Sequence, residues 1–389
     1  MTLRRLLAVS HRGQVGGAPI VLEDLVRWIT EHTEVEVTTV MLTRGDMYGR
    51  FREVSTVFEL DELTAAADAS GGGPLDGLGP FDLVLLNSLE SLALLPALPD
   101  GVPVVSPIHE LQVSCREWLR PVDGDPLRTG PDAWIAASAP VRSMLVEEYG
   151  CPSERVHLHP SFIDVARLEG RRADARALES LRRSVGIPRE APVVMGSGTF
   201  EWRKGPELFV QLAGAVQRAA PDPVHFVWVG GNLDSVEYGR VRSDIQRAGI
   251  EHLHITGDVD EPIPYQQLAD VFVLTSHEDP HPLVCLEQGA LGHPVVSFRN
   301  GGIVDVLTAA GPDAAQGVVD HLDVASMAER TLELLYDERR RRRAGEQLRD
   351  RVLAAHDVPV AAPALFEDLR RSAGLTVRAP GGSGGRKGT

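Results

Sequence analysis

The segment from Ser276 to Val296, SHEDPHPLVCLEQGALGHPVV, contains residue types that could bind a ligand carrying both hydroxyl groups and negative charge. Asp279 stands in a polar loop, and Glu287 follows eight residues later inside an apolar, helix-like pattern. Pro282 suits the first position of a helix, where no backbone N–H is needed. Free amides at a helix start form an anion site, whereas carboxylates accept hydrogen bonds from hydroxyls.

Two carboxylates beside a phosphate would repel it, so their presence favours a ligand whose phosphates lie between hydroxyl-rich rings. A nucleotide sugar has this composition. One acid would then bind the ribose and the other the transferred sugar, with Glu287 reaching back toward the helix start because helical side chains lean that way. The alternative is that Glu287 is merely exposed and that Asp279 merely caps the helix.

A lysine supplies the complementary charge. Lys204 and Lys387 are the only lysines in a chain with 39 basic residues, and Lys387 lies in the C-terminal tail. Arginine is a planar fork, whereas lysine is a compact point charge, so the two differ at a phosphate. Lys204 stands in WRKGP with Arg203 and Gly205, directly before a helix marked by Pro206. The sequence therefore predicts a phosphate contact at this loop.

The composition excludes several classes of protein. The net charge of −16 disfavours binding to nucleic acids and to anionic membrane surfaces. Three scattered cysteines indicate neither a disulfide framework nor a zinc site, and no apolar run approaches the ~20 residues of a membrane span. The apolar run at the start, in MTLRRLLAVSH, is shorter than a signal peptide needs. We therefore expect a cytoplasmic protein; the oligomeric state stays open.

Short apolar runs alternate with amphipathic stretches, which is typical of βαβ units and parallel sheets. The series RRLLAVS, VEVTTVML, FDLVLLN, VPVVSPI and DAWIAAS predicts strands of a first half, and PVVMGSG, VHFVWVGG, HLHITG, DVFVLTS and HPVVSF predict strands of a second. The predicted class is α/β, with two similar domains and a ligand in the cleft between them. The predicted boundaries are 1–170, 171–355, a last helix at 356–373 packing back on the first domain, and a disordered tail at 374–389.

The segment EDPHPLVCLEQGALGHPVV resembles the acidic-x7-acidic signature of the retaining glycosyltransferases of family four, with Asp279 at the first acid. The resemblance implies the GT-B architecture, in which two Rossmann-like parallel-sheet domains face a central cleft. The N-terminal domain would take the acceptor and the C-terminal domain the nucleotide-sugar donor. In that family an arginine usually precedes the lysine by about six residues, where this chain has Gly198, and Arg203 could substitute.

The resemblance also assigns roles to individual residues. LLAVSHRGQVGG is similar to the family's first strand and glycine loop, PVVSPIHELQ supplies a histidine near the reacting sugar, and HITGDV stands where the base is held. The predicted catalytic residues are His109, Lys204 and Asp279. The predicted donor-binding residues are Gly16, Gly17, Arg203, Gly257, Glu278, His281, Pro282, Leu283, Val284 and Glu287.

The mechanism implied is transfer from a UDP- or GDP-sugar with retention, by front-face attack and without a dedicated nucleophile. No cofactor beyond the donor and no metal are expected, and two D-x-D matches, Asp123 to Asp125 and Asp258 to Asp260, are interpreted as turns. Residues 1–180 hold 27 acids against 16 arginines and no lysine, which tilts the acceptor toward a soluble molecule such as an amino sugar of a natural product.

Other functions stay open. The acceptor could instead be a lipid-linked or cell-envelope saccharide, or the chain could bind a nucleotide sugar without turnover. A nucleotide-sugar epimerase would need acid and base groups that the sequence does not place. A dinucleotide oxidoreductase is disfavoured because GQVGG is not G-x-G-x-x-G.

Overall fold

The computed structural model describes residues 2–119 and 126–375. Its contacts divide the chain into two compact units, one formed by Met1–Phe162 with Val358–Thr389 and the other by Ile163–Asp357. Each unit is built on a parallel sheet.

The first sheet has the strand order β3-β2-β1-β4-β5-β6-β7 in the described residues, with every pair parallel. β4 and β5 are buried along their whole length, as expected for parallel strands covered on both faces. The strands are β1 (Arg5–Ser10), β2 (Glu36–Met41), β3 (Thr56–Glu59), β4 (Leu83–Asn87), β5 (Val104–Ile108), β6 (Ala133–Ala136) and β7 (Val156–Leu158).

The helices of this unit follow the strands in βα succession. α1 buries Leu22, Leu25, Val26 and Ile29, which recur at helical spacing on one face. The helices are α1 (Gly17–His32), α2 (Met47–Arg52), α3 (Leu60–Ser70), α4 (Gln112–Leu119), α5 (Pro126–Thr129) and α6 (Ala139–Ser143).

The second sheet has the order β10-β9-β8-β11-β12-β13 in the described residues, again parallel throughout. In both sheets the order reverses beside the first strand, between β1 and β4 and between β8 and β11. Ligands of open parallel sheets bind beyond the carboxyl ends of the strands at such a switch point. The strands are β8 (Val193–Ser197), β9 (His225–Val229), β10 (Leu253–Ile255), β11 (Val271–Leu274), β12 (Val295–Phe298) and β13 (Val318–Val319).

The helices of the second unit connect these strands, and its last two helices follow the final strand. Phe209 of the longest crossover helix packs edge-on against Phe226 and Trp228 of β9. The helices are α7 (Val165–Gly170), α8 (Ala175–Val185), α9 (Pro206–Ala219), α10 (Val236–Ala248), α11 (Pro262–Gln266), α12 (Leu283–Leu291), α13 (Ile303–Ala310), α14 (Pro312–Ala315), α15 (Val324–Tyr336) and α16 (Glu338–Ala355).

The last helix, α17 (Val358–Ser372), belongs to the first unit, where it packs against α1 through Trp28 and Phe366. The division falls after Phe162, eight residues before the boundary drawn from sequence, because α7 and α8 pack within the second unit. The predicted tail lies outside the described residues from position 376 onward.

Two helices replace the single long one that VASMAERTLELLYDERRRRR suggests. α15 ends at Tyr336 and α16 begins at Glu338, because Asp337 leaves the helical conformation between them. The Asp337 carboxylate accepts a hydrogen bond from the backbone N–H of Arg340 at 2.9 Å and so caps the new helix.

No helix within residues 2–119 and 126–375 combines the length and the apolar character that a bilayer crossing requires.

We expect Asp337→Ala to lower the melting temperature of the second unit, because it removes the cap of α16. Loss of an N-cap costs about 1 kcal/mol, which corresponds to roughly 2–4 °C in a unit of this size. Scanning calorimetry checks this. Asp337→Ser keeps a capping oxygen and should melt close to wild type; equal melting of all three proteins would show that the cap contributes nothing.

Candidate functional site

The candidate site in the second unit lies at the switch point, where the loops after β8 and β11 meet. Lys204 ends a short 3-10 turn, Trp202–Lys204, just before α9, and its Nζ donates to Asp279 Oδ2 at 2.7 Å. Asp279 is buried, and the Lys204 side chain is largely buried. Asp279 therefore does not cap α12, whose cap position is Pro282 without a side-chain hydrogen bond.

The backbone of the basic loop also binds the acidic loop. The carbonyl of Arg203 accepts hydrogen bonds from the N–H of His277 at 2.9 Å and of Glu278 at 3.3 Å. The Arg203 guanidinium approaches the Glu278 carbonyl at 3.4 Å. The Trp202 indole stacks on the His277 ring, with centroids 4.6 Å apart. The loop that holds Arg203, predicted to bind phosphate, and the loop that holds Asp279, predicted to bind sugar, are thus hydrogen-bonded and stacked on each other.

The position where family four usually has an arginine has no room for one. Gly198 has φ +152°, and a Cβ there would lie 2.9 Å from Cγ of Lys204. The stem of Lys204 therefore occupies the space that a side chain at residue 198 would need.

The loop after β12 is hydrogen-bonded to the acidic loop. The Asn300 side-chain amide donates to the Ser276 carbonyl at 3.2 Å, and the N–H of Gly302 donates to the Pro280 carbonyl at 2.8 Å. Gly301 has φ +66°, and a Cβ there would lie 1.7 Å from the Asp279 carbonyl oxygen. Only glycine fits this approach.

Glu287 lies inside α12 and is half-buried rather than exposed. Its Oε2 accepts a hydrogen bond from Gln266 Nε2 at 2.6 Å. Burial raises the pKa of the Glu287 carboxyl, and the Gln266 amide opposes that rise. The helix starts at Leu283 rather than at Pro282, which precedes it in an extended conformation.

The remaining predicted donor residues lie in two places. His281 is buried in the acidic loop, with its ring 5.4 Å from that of His356, and Val284 is half-buried in the first turn of α12. Gly257 follows β10, and its carbonyl accepts from the N–H of Gly230 at 3.0 Å. Asp258 accepts from the N–H of Gly231 at 2.8 Å, and Asp123 and Asp125 lie outside the described residues.

The switch point of the first sheet holds His109, which follows β5. Its Nε2 lies 3.0 Å from Oδ1 of Asn87, whose Nδ2 donates to the carbonyl of Ala18 at 3.1 Å. An amide oxygen can only accept, so His109 carries its proton on Nε2 and leaves Nδ1 as an acceptor. Burial lowers the pKa of His109 to about 3, and His11 adds to the effect, so the ring is neutral at pH 7.

The last two glycines of the glycine loop stand at the start of α1. Gly16 is the cap of α1 with φ −168°, an extended conformation that any residue adopts, and Gly17 is the first residue of the helix. Among residues 2–119 and 126–375, a Cβ at Gly16 would touch only Pro19, at 3.7 Å.

Sequence reasoning missed several polar residues here. Ser88 has φ +81°, which is strained for serine, and its hydroxyl donates to Glu110. Glu110 also accepts from the His109 N–H at 2.9 Å, and burial raises the pKa of its carboxyl. The signal was present in FDLVLLNS, a buried strand that ends in two polar residues, Asn87 and Ser88.

Comparison with known proteins identifies the segment that carries the Lys204–Asp279 pair. Residues 178–351 match the family described as glycosyl transferases group 1. Over this segment, which is just under half of the chain, the sequence is similar to that family. The matched segment contains all the predicted donor residues of the second unit.

Curated relatives match over part of their length. The D-inositol 3-phosphate glycosyltransferase of Xylanimonas cellulosilytica is 30% identical over 223 residues, which are 54% of this chain and 50% of that protein. The mannosylfructose-phosphate synthase of Agrobacterium fabrum is 28% identical over 177 residues, 43% and 38% of the two chains. The chain thus spans about half the length, or less, of these relatives.

Among solved structures, Anabaena HepE in complex with UDP-glucose superposes with a TM-score of 0.76 and 16% identity, over 94% of this chain and 99% of that one. At this identity the likeness shows the fold alone. With the two parallel sheets, it confirms the predicted GT-B architecture.

We expect the first unit to lose stability as the pH falls, because the folded unit keeps His109 neutral. In the unfolded chain the ring titrates near ~6.5, so the unfolded state binds a proton that the folded state does not. The free energy of unfolding should therefore decrease from about pH 6.5 downward. Melting curves across this range check it, and nitrogen-15 NMR should show the Nε2–H tautomer. A ring that titrates near its ordinary pKa in the folded chain would contradict the assignment.

Proposed function

We propose that this protein transfers a sugar from a nucleoside diphosphate donor to a hydroxyl of an acceptor. The carrying observation is the Lys204–Asp279 pair at the switch point of the second sheet, inside the segment that matches the glycosyl transferases group 1. It places an ammonium group and a carboxylate side by side. A sugar phosphate offers the complementary groups, phosphate oxygens and hydroxyls.

In this proposal the expensive step is departure of the nucleoside diphosphate, which places charge on the phosphate. Lys204, Arg203 and the amides at the start of α9 and α12 would stabilise that charge where it develops. Asp279 would accept hydrogen bonds from the transferred sugar, and Glu287 from the ribose. Gly257 would lie along the base.

The first unit would supply the acceptor side. His109 is neutral and fixed in one tautomer, so its Nδ1 offers an acceptor to a sugar hydroxyl rather than a positive charge. We propose a neutral or amine-bearing saccharide as acceptor, since the first 180 residues are strongly acidic. The names of the curated relatives mention inositol 3-phosphate and mannosylfructose phosphate, so they support a small polyol as acceptor, although the phosphate groups in those names are not part of this proposal.

The proposal includes retention of anomeric configuration and no metal ion. The departing phosphate would take the proton of the acceptor hydroxyl, so no protein nucleophile is needed. The phosphate charge would be neutralised by Lys204, Arg203 and helix amides. UDP is the favoured nucleotide, since the superposed Anabaena protein was solved with UDP-glucose.

The test is calorimetric titration of the full chain with UDP, GDP and their hexoses in the presence of EDTA, with NAD as the control. We expect micromolar binding of one nucleoside diphosphate and none of NAD. Turnover of the bound donor with sugar acceptors, followed by NMR, should give a product of unchanged anomeric configuration. Binding of none of these nucleotides would overturn the proposal, and turnover that stops with EDTA and returns with Mg²⁺ would overturn its metal-free form.

Lys204→Arg should not behave as a conservative change, because Lys204 lies against Gly198 and Asp279 in a space fitted to an unbranched stem. Lys204→Met removes the charge and should lower kcat by on the order of 10²–10³, as lost oxyanion donors do. Lys204→Arg should fall clearly below wild type, and Arg203→Lys should be milder. Steady-state transfer rates for the three variants decide this; full activity in Lys204→Arg would show that any cation suffices.

A further inference from the structure

We infer that Gln266 is a positioning residue that holds Glu287 ready to bind the donor's ribose. The inference rests on the proposed function. It concerns a residue outside the acidic motif and the basic loop, contributed by α11.

The geometry fixes one carboxylate oxygen and leaves the other. Gln266 is the last residue of α11 and is only 2% exposed. Its Nε2 donates to Glu287 Oε2 at 2.6 Å, while Glu287 Oε1 accepts no hydrogen bond from any described residue. This hydrogen bond restrains the half-buried carboxylate and leaves its second oxygen for a ligand.

Gln266 is not explained by packing. Its Oε1 is buried and has no hydrogen-bond partner in the part of the chain that the structure describes. A buried polar atom left unpaired costs stability, so an apolar side chain of similar shape would serve a packing role better. An arrangement that lowers stability while orienting a neighbour is typical of a functional site.

The next residue provides the contrast. Gln267 uses both ends of its amide on one backbone unit, accepting from the Ala173 N–H at 2.7 Å and donating to the Ala173 carbonyl at 3.3 Å. It joins α11 to the loop before α8 and does not contact Glu287. Two adjacent glutamines thus have different tasks, one structural and one directed at the carboxylate.

The amide also favours the charged form of the carboxyl. Burial raises the Glu287 pKa, while the Gln266 hydrogen bond and the charge of Arg171 lower it. Arg171 is itself paired with Glu261 at 2.9 Å, and Asp279 and Lys204 lie on the neighbouring loops. Without the amide, Glu287 would keep its proton to a higher pH and would be a weaker acceptor for a hydroxyl.

The experiment compares Gln266→Met with Gln267→Met in the full-length protein, using calorimetric titration with UDP and with 2′,3′-dideoxy-UDP. For Gln266→Met we expect UDP to bind about tenfold more weakly. Its melting temperature should fall less than that of Gln267→Met, because the change removes the unpaired oxygen of Gln266 together with the donor to Glu287 Oε2. The affinity for 2′,3′-dideoxy-UDP should equal that of wild type, since the lost contact is to the ribose hydroxyls. Raising the pH should restore part of the UDP affinity of Gln266→Met relative to wild type, because the carboxyl of Glu287 then loses its proton. Gln267→Met should melt lower and bind UDP as wild type does.

The outcomes separate the two levels of the argument. If wild type binds neither nucleotide, the proposed function fails and this inference fails with it. If wild type binds UDP and Gln266→Met binds it equally well, only the role of Gln266 is overturned. The role is also overturned if Gln266→Met weakens the binding of UDP and of its dideoxy analogue by the same factor. It is likewise overturned if the Gln266→Met protein unfolds at a lower temperature than the Gln267→Met protein.

Discussion

The ion pair between Lys204 and Asp279 joins the two loops on which the second unit's site depends. At 2.7 Å between largely buried groups, it is expensive in lost hydration, and such pairs persist where the surrounding structure compensates. Here the compensation is visible. β8 and β11 are neighbours in the sheet, the carbonyl of Arg203 accepts two hydrogen bonds from the acidic loop, and the loop after β12 holds that loop from behind. The pair therefore depends on the order of the strands in the sheet as much as on the local sequence.

The first sheet places an equivalent connection at its own reversal of strand order. Asn87 ends β4, and its side chain bridges the first turn of α1 to His109 after β5. The side-chain amide of Asn87 thus connects the end of β4 to the parts of the chain that follow β1 and β5. In each unit, a polar side chain beyond the carboxyl end of a strand binds the loop of the adjacent strand, which is the geometry that the 3-2-1-4 order creates.

The sequence predicted what is local or periodic. Apolar runs at 36–41, 83–87 and 104–108 became strands, and the acid loop and the lysine loop could be recognised because their residues are close in the chain. Partners far apart in sequence could not be predicted. Gln266 lies 21 residues before Glu287, and Asn87 lies 69 residues after Ala18, so only the fold brings them together. The break at Asp337 was missed because a continuous polar and apolar pattern runs across it. The assignment of α7 to the second unit depends on tertiary contacts that no local pattern records.

The two acids of the motif are held in different electrostatic environments, although their spacing alone suggests two similar carboxylates. Asp279 is buried against an ammonium group, whereas Glu287 is tied to a neutral amide and its pKa is raised by burial. A carboxylate paired with a cation repels a neighbouring phosphate less than an isolated carboxylate does. A neutral amide does not balance the charge of the carboxylate that it binds, but its hydrogen bond restrains the direction of that carboxylate. Under the proposed function, the first arrangement suits the sugar next to the diphosphate, and the second suits the ribose, which is uncharged and is recognised by orientation. The fold therefore turns one spacing motif into two different binding groups through the residue that each acid meets.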